Sequence, residues 1–354
     1  MDVRSAVSTP VTQYTTHRRS KSYGRTFDAT SRFCYTPGQL TITRIQTSRE
    51  TAKARKITDK VDPEQVALLV KKEWKLSYVT PLYQFRHTKL KVYSRHLSAF
   101  IMAEKQQGMA VEVGLEAGFK VTFSTVLGMA ETKDDAETVF IQIHNKPVFA
   151  SEGDAPKVVW SGWLTCINGD PEYLQALPPE FVSLPLFCSS GAESLTFLVK
   201  SWFERTFDCS FGSMGLDPTD LHWLAALWTG CHSENNIRSL KLVWTLPSQP
   251  PLDVSLTVNA QDAWDLWDKV RQQDSTDNSI SIEEVKRFIT GIESHFFRHF
   301  KVYLSAGVLK KVSTALGSVH LDGKIKITCS DYMTTVLTLL TECAILKMPI
   351  LPGC

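Results

Sequence analysis

Two histidines, His295 and His299, stand four residues apart and have the spacing of a possible zinc site. Two histidines at this spacing share one face of a helix, as in the HExxH zinc enzymes. Those enzymes place a glutamate directly after the first histidine as the general base, but this chain has Phe296 there, and no third ligand is evident. The sequence therefore predicts a core helix with two polar edges rather than a metal site.

The segment from Asp274 to Glu284 superficially resembles a calcium-binding loop. If Glu284 were the twelfth ligand of such a loop, Gln273 would be the first position and Asn278 the sixth. Calcium loops need an aspartate and a glycine at those two positions. A helix start explains the same residues better, because Ser281 and Glu284 have the spacing of a capping box.

No other pattern in the chain indicates catalysis. The phosphate-loop, dinucleotide and serine-nucleophile patterns GxxxxGK[ST], GxGxxG and GxSxG are missing, so we expect a non-enzymatic protein without cofactor, metal or small-molecule substrate. The eight cysteines include no CxxC pair, and we interpret them as reduced thiols of a nuclear or cytosolic protein. Three tryptophan pairs could stack on bases, but their apolar neighbours favour core packing. These pairs are Trp160 with Trp163, Trp223 with Trp228, and Trp264 with Trp267.

Charge is distributed unevenly along the chain. Residues 1–60 carry 12 Lys and Arg against 4 Asp and Glu, whereas the remainder has a net charge of −6. Within this acidic remainder, a basic island from Arg298 to Lys326 holds six basic residues and one acid, Asp322. A basic tail and a basic patch without a chemical site favour a binding protein whose partner is an anionic polymer or an acidic protein.

Blocks of helical and strand periodicity predict an α+β fold with mixed, largely antiparallel sheets and packed helices. The first helix begins at Asp62-Pro63, and an apolar stripe carries it through Trp74. The other predicted helices span 88–107, 190–205, 217–229, a segment opened by Asn259, 282–299 and 331–346. The predicted strands span 109–113, 119–125, 138–144, 157–167, 239–246, 252–258 and parts of 300–329, with a hairpin turn at Asp322-Gly323.

Composition divides the chain into a tail and two lobes. Residues 1–57 are rich in Ser, Thr and Arg without apolar period, which predicts a disordered basic tail. An N-terminal α/β lobe is expected over 58–210, and a C-terminal α/β lobe with a partner-binding sheet over 211–354. Neither an apolar run long enough to span a membrane nor a signal peptide is present, so we expect no membrane partner and no secretion.

Strand alternation predicts which lysines of the basic island share a surface. Lys324 and Lys326 lie two residues apart on one strand and therefore on one face. Lys311 has a serine two residues away, whereas Lys310 has a valine two residues away in both directions. Lys311 is therefore predicted to lie on the more solvent-exposed (wetter) face of the strand. Together with Lys157 at the start of another strand, these three are the candidate DNA contacts. An ordinary solvated strand face, which also discourages unwanted strand pairing, explains the same pattern.

The segment from Val336 to Leu351 is densely apolar although it lies at a chain end. Chain ends usually fray, so such a segment predicts a surface that a partner protein covers. The candidate partner contacts are Val336, Leu337, Leu340 and Ile345.

Several stretches resemble the centromere protein L family. They occur in order and cover most of residues 58–347, whereas the tail does not match in detail. The stretches are VDPEQVALLVKKEW (61–74), TPLYQF (80–85), YSRHLSAFIMAEKQQGMAVEVG (93–114), FSTVLGM (123–129), LPLF followed by GAES (184–194), WFERTFDC (202–209), SHFFRHFKVYLSA (294–306) and DGKIKI (322–327).

The resemblance implies a mixed α/β subunit of the constitutive centromere-associated network at the inner kinetochore, in the nucleus. It implies a heterodimer with centromere protein N, contacts with centromere protein C and neighbouring subunits, and a role in reading the nucleosome that contains the histone CENP-A. Kinetochore assembly and chromosome segregation in mitosis would follow. Two function classes remain open: a scaffold whose basic face contacts centromeric DNA, and a purely protein–protein adaptor.

Overall fold

The computed structural model of the chain describes residues 48–50, 61–106, 119–145, 157–231, 239–272 and 279–349. All of these residues lie in one compact unit, Tyr35–Cys354. The predicted strand 109–113 lies outside the described residues. So does the predicted tail over 1–57, except for Ser48–Glu50.

Helices in the described part of the chain match most of the predicted ones, and the α+β class is confirmed. They are α1 (Pro63–Leu69), α2 (Leu90–Gln106), α3 (Pro171–Ala176), α4 (Glu193–Phe207), α5 (Pro218–Gly230), α6 (Ala260–Gln272), α7 (Ile282–Phe300) and α8 (Met333–Lys347). The predicted capping box at the start of α7 is confirmed: the Glu284 N–H donates to Ser281 Oγ at 3.2 Å, and the Ser281 N–H donates to Glu284 Oε2 at 2.6 Å.

Strands in the described part of the chain pair antiparallel throughout. They are β1 (Ser48–Glu50), β2 (Glu73–Val79), β3 (Leu82–Tyr83), β4 (Phe119–Val126), β5 (Thr138–Asn145), β6 (Lys157–Thr165), β7 (Phe181–Val182), β8 (Leu186–Gly191), β9 (Phe211–Ser213), β10 (Leu240–Leu246), β11 (Leu252–Val258), β12 (Ser279–Ser281), β13 (Val308–Ser313), β14 (Gly317–His320) and β15 (Lys324–Ile327).

One large sheet organises the chain, with the strand order β11-β10-β13-β14-β15-β2-β8-β6-β5-β4, and β9 pairs with β2 beside this path. Strand β2, from the first part of the chain, therefore separates the C-terminal strands from β8, β6, β5 and β4. Two small sheets, β1 with β12 and β3 with β7, complete the described strands. The lobe boundary between residues 210 and 211 stays a prediction.

The predicted helix through Trp74 is wrong. Helix α1 ends at Leu69, and Lys71 adopts a left-handed φ of 64°, which a helix cannot continue. Trp74 lies on β2 instead, fully buried, and its indole N–H donates to the Leu69 carbonyl oxygen at 2.8 Å. The chain thus turns sharply after one short helix and enters the middle of the sheet.

The two faces of the sheet are covered differently along its length. One face packs against α5, α6, α7 and α8, and a row of apolar side chains crosses it from β13 to β2. This row consists of Val312, Val319, Ile325 and Trp74, which are paired in register. On the opposite face, α2 and α4 pack over β4, β5, β6 and β8. The part of that opposite face formed by β10, β13, β14, β15 and the start of β2 (residues 73–75) is here called the open face.

Candidate nucleic-acid interface

The open face carries a polar row that crosses five strands. Strand register aligns Lys241 on β10, Ser313 on β13, Ser318 on β14, Lys326 on β15 and Glu73 on β2. Neighbouring strands lie about 4.8 Å apart, so Lys241 and Lys326, which are three strand spacings apart, are separated by about 14 Å. Small hydroxyl side chains between two lysines leave room for a polyanion backbone to lie against the sheet.

A second set of basic side chains lies beside this row. Lys311 on β13 pairs in register with His320 on β14, and Lys324 on β15 pairs with Lys75 on β2. The hairpin between β14 and β15 turns at Gly323, whose φ of 79° favours glycine, as the sequence predicted. The structure therefore brings Lys311, Lys324 and Lys326 together on one face.

A bulge in β13 changes the predicted exposure of its two lysines. Val243 of β10 pairs with Lys311, but the next residue, Trp244, pairs with Leu309, so Lys310 is an extra residue. Such a β-bulge breaks the strict alternation of a strand. Lys310 is exposed and Lys311 is half-buried, so the prediction that Lys311 has the wetter face is wrong.

Carboxylates of the same chain partly neutralise two lysines of this surface. The Lys324 ammonium lies 2.8 Å from Asp322 Oδ2, and this hydrogen bond raises the pKa of Lys324. The Lys310 ammonium lies 3.6 Å from Asp253 Oδ1. A phosphate that binds either lysine must compete with the carboxylate. These two lysines therefore contribute less to the affinity for phosphate than a lysine without an ion pair.

Lys75 is neutralised in the same way, because its ammonium lies 2.8 Å from Glu193 Oε1 and lowers the pKa of that carboxyl. In contrast, no described carboxylate forms an ion pair with Lys241, Lys311 or Lys326. These three are the lysines most available to an external anion. Sequence reasoning missed Lys241 and Lys75, because their positions on this face depend on strand pairing between distant parts of the chain.

His320 adds a titratable group to the open face. Its pKa is lowered from the ordinary value, first by desolvation and then by the positive charge of Lys311. The imidazole is therefore neutral at neutral pH and can only accept or donate a hydrogen bond there.

Lys157 is separated from the other three candidate lysines. It begins β6, three strands away from β15 in the sheet, and pairs in register with Asn145. The residue of β6 that lies in register with Lys75 and Lys324 is Gly162, five residues after Lys157. The register runs from Gly162 through Ser189 on β8 to Lys75 on β2 and Lys324 on β15. Lys157 is exposed, and its contact with DNA stays a prediction.

The four candidate partner contacts belong to the core of the chain itself. Val336, Leu337, Leu340 and Ile345 are 2%, 1%, 0% and 4% exposed on α8. This helix lies against the centre of the sheet, beneath β2 and β8. Their burial leaves no surface on these side chains for a partner in this conformation, so a partner must use other residues.

Tryptophan and histidine side chains also have mainly structural positions. Trp160, Trp163, Trp223, Trp228 and Trp267 are buried, as core packing predicts, and Trp264 is half-buried. The rings of His295 and His299 lie 4.6 Å apart at the exposed end of α7. Within the described ranges, no group of three or more His, Cys, Asp or Glu side chains could hold a metal ion.

Comparisons with known proteins agree on one family. A family model described as centromere protein L matches residues 68–345. The chain is 68% identical to centromere protein L of Danio rerio over 346 residues, which cover 98% of this chain and 94% of that protein. It is 44% identical to centromere protein L of Homo sapiens over 301 residues, which cover 85% and 86% of the two chains. Of the described helices, none is long and apolar enough to cross a membrane.

Proposed function

Because the chain belongs to the centromere protein L family, we propose that it is a non-enzymatic subunit of the inner kinetochore in the nucleus. In this proposal it pairs with centromere protein N, contacts centromere protein C and neighbouring network subunits, and anchors the network to CENP-A nucleosomes and centromeric DNA. It thereby supports kinetochore assembly and chromosome segregation in mitosis. The names of the relatives support the centromere location.

The open face is the observation that supports DNA contact. It presents Lys241, Lys311 and Lys326 without described carboxylate partners, and hydroxyl side chains lie between them. A sheet face with spaced ammonium groups contacts phosphates rather than base edges, so binding would be independent of sequence. Each phosphate that a lysine neutralises releases about 0.9 of a counterion from duplex DNA.

The test is the salt dependence of DNA binding by the heterodimer. Replacing Lys311, Lys324 and Lys326 with alanine is expected to weaken binding and to reduce the slope of log affinity against log salt by about two to three units. Fluorescence anisotropy with duplex DNA at several salt concentrations measures this slope.

A control variant replaces three exposed lysines on other elements, Lys89, Lys91 and Lys133, and removes the same net charge. It is expected to keep a slope close to the wild-type value. A triple variant of the open face with an unchanged slope would contradict the DNA contact. Loss of pairing with centromere protein N in that variant would instead support the adaptor function, in which the lysines contact an acidic protein surface.

A further inference from the structure

The C-terminal end of α7 and the turn that follows it carry exposed aromatic rings. Phe300 and Tyr303 are each 63% exposed. The imidazole rings of His295 and His299 are exposed beside them, and the centroid of His299 lies 6.5 Å from that of Phe300. Residues 295–303 are here called the aromatic tip. Grouped exposed rings of this kind indicate a binding surface rather than core packing.

Inner rings support the two outer ones. The ring of Phe300 lies against that of the buried Phe296, with centroids 4.6 Å apart and planes inclined at 31°. The ring of Tyr303 stacks on that of Phe297, with centroids 4.2 Å apart and planes inclined at 24°. Each outer ring is therefore supported on one side, and its exposed fraction leaves the other side in solvent.

The backbone fixes the aromatic tip at both ends. Lys301 ends α7 with a left-handed φ of 57°, and its N–H donates to the Phe297 carbonyl oxygen at 2.9 Å. Glycine or asparagine usually occupies this position at the end of a helix, so a long cationic side chain is uncommon there. The buried Leu304 then begins a 3₁₀ turn, Leu304–Ala306, that leads to β13. The rings and cations of the tip are thus held between two anchored segments.

The charged side chains of the aromatic tip are cations. Residues 298–303 include Arg298 and Lys301 but no acid, and both side chains are exposed. No described carboxylate forms an ion pair with either of them. Glu293, the nearest acid before the tip, is half-buried. The tip therefore favours an anionic partner.

Exposed rings among unpaired cations match the chemistry of a single nucleic-acid strand. Each unpaired base offers a flat face that stacks on an aromatic ring whatever the sequence, and the phosphates attract Lys and Arg. In a duplex both faces of each base are already stacked, so surface rings gain little from them. A peptide with carboxylates would satisfy the cations, but it has no regular series of flat faces for the rings. An apolar protein surface would bury Arg298 and Lys301 without a carboxylate, which is unfavourable.

We propose that the aromatic tip binds single-stranded nucleic acid. Bases stack on the rings of Phe300 and Tyr303, and the side chains of Arg298 and Lys301 contact the phosphates. This ligand goes beyond the proposed function, in which the lysines of the open face contact duplex DNA. The tip needs neither those lysines nor centromere protein N, so a failure of the open-face contact would leave this inference intact.

The test measures the fluorescence anisotropy of labelled single strands of about 12 nucleotides, a length that single-strand sites cover, with the full chain. Phe300→Ala and Tyr303→Ala are each expected to weaken binding by about fivefold or more, because each removes one stacked base. Tyr303→Phe keeps the ring and is expected to bind as the wild type does. Phe197→Ala, at a ring that is 68% exposed on α4, is the matched control and is expected to leave the affinity unchanged.

A double variant, Arg298→Gln with Lys301→Gln, tests the cations independently of the rings. Each phosphate contact with a single strand releases about 0.7 of a counterion, so the slope of log affinity against log salt is expected to fall by about 1.4 units. Lys89→Gln with Lys91→Gln removes the same charge at exposed positions elsewhere and is expected to keep the wild-type slope. Thermal unfolding establishes that each variant folds. If a ring variant does not fold, the slope of the cation variant decides the test.

Ribonucleotide and deoxyribonucleotide strands of the same sequence identify the source of the ligand, because only RNA offers 2′-hydroxyl groups. Binding of either strand that depends on the rings supports the site. Wild-type affinity in both alanine variants, or an unchanged slope in the cation variant, would overturn the proposal. An equal loss of duplex binding in the ring variants would also overturn it, because stacking requires unpaired bases. The same holds if the wild type binds no single strand and the ring variants lose pairing with centromere protein N, because the rings would then contact a protein.

Discussion

Lys324 belongs to the candidate DNA surface and is also held by an acid of the same hairpin. Its ammonium group lies 2.8 Å from Asp322 Oδ2, two residues away. A phosphate that approaches Lys324 meets a nearby negative charge and must displace this contact. The hairpin carboxylate would therefore compete with a phosphate for Lys324, although its side chain is itself exposed.

Replacing Asp322 with asparagine is expected to tighten DNA binding by about threefold and to steepen its salt dependence by up to about one unit, because Lys324 is freed. Anisotropy titrations of the heterodimer measure both effects. Glu180→Gln removes the same charge at an exposed position before β7 and serves as the control. Equal affinities of the wild type and Asp322→Asn would show that Lys324 does not contact phosphate.

His320 predicts a specific pH dependence. Burial and the charge of Lys311 lower its pKa below the ordinary value of 6.5, so it gains a proton only in mildly acidic solution. The added charge would then strengthen DNA binding by about one phosphate contact. We expect His320→Gln to match the wild type at pH 7.5 and to bind DNA less tightly than the wild type below pH 6. Parallel curves at all pH values would contradict this role.

For single residues, sequence reasoning identified part of the open face. Alternation alone placed Lys324 and Lys326 on one face, because β15 is regular and short. It failed for Lys310 and Lys311, since a bulge inserts one residue and no local pattern marks it. Lys75 and Lys241 could not be found in this way, because register between distant strands brings them to the open face.

Among the elements, β2 shows best why local patterns can mislead. Its Trp74 happens to continue the apolar stripe of α1, and a helix was predicted through it. The left-handed turn at Lys71 breaks this continuity, and Leu69 and Trp74 instead meet through one hydrogen bond. Helix α7 was predicted closely, because its capping box and apolar period are both local signals.

Strand β1 leads to a prediction about the end of the tail. Ser48–Glu50 pair with Ser279–Ser281, although the sequence predicts disorder there. Deletion of residues 1–57 should therefore speed amide hydrogen exchange in Ser279–Ser281, whereas deletion of 1–47 should not. Both deletions should leave the melting temperature nearly unchanged, because three paired residues scarcely offset the entropy of ordering them. Equal exchange in the two variants would contradict the pairing.

The whole molecule is held together by a strand that comes early in the sequence. Strand β2 pairs with β8 on one side and with β15 on the other, so the C-terminal strands depend on it. Ile325 on β15 pairs with Trp74 on β2, so the apolar row of the core continues from one strand to the other. Two lobes can be described in sequence, but one sheet connects them.

A split of the chain after residue 210 tests this dependence. The fragment 211–354 lacks β2 and would expose the edge of β15, so we expect it to aggregate when it is expressed alone. Co-expression with 58–210 should yield a soluble complex that unfolds in a single transition, as the full chain does. Size-exclusion chromatography and calorimetry measure these outcomes. A monomeric, cooperatively folded 211–354 would show that the C-terminal lobe is independent.

The central position of β2 also has a consequence for synthesis on the ribosome. Strand β15 begins at Lys324, and β2 ends at Val79. At translation rates of about 5–20 residues per second, roughly 12–50 s pass before β15 can cover its side of β2. During that time the nascent chain holds an apolar strand with one unpaired edge. Lys72 precedes this strand and Lys75 lies within it, and their charges discourage premature pairing. We expect ribosome-associated chaperones to bind this segment until the last strands emerge.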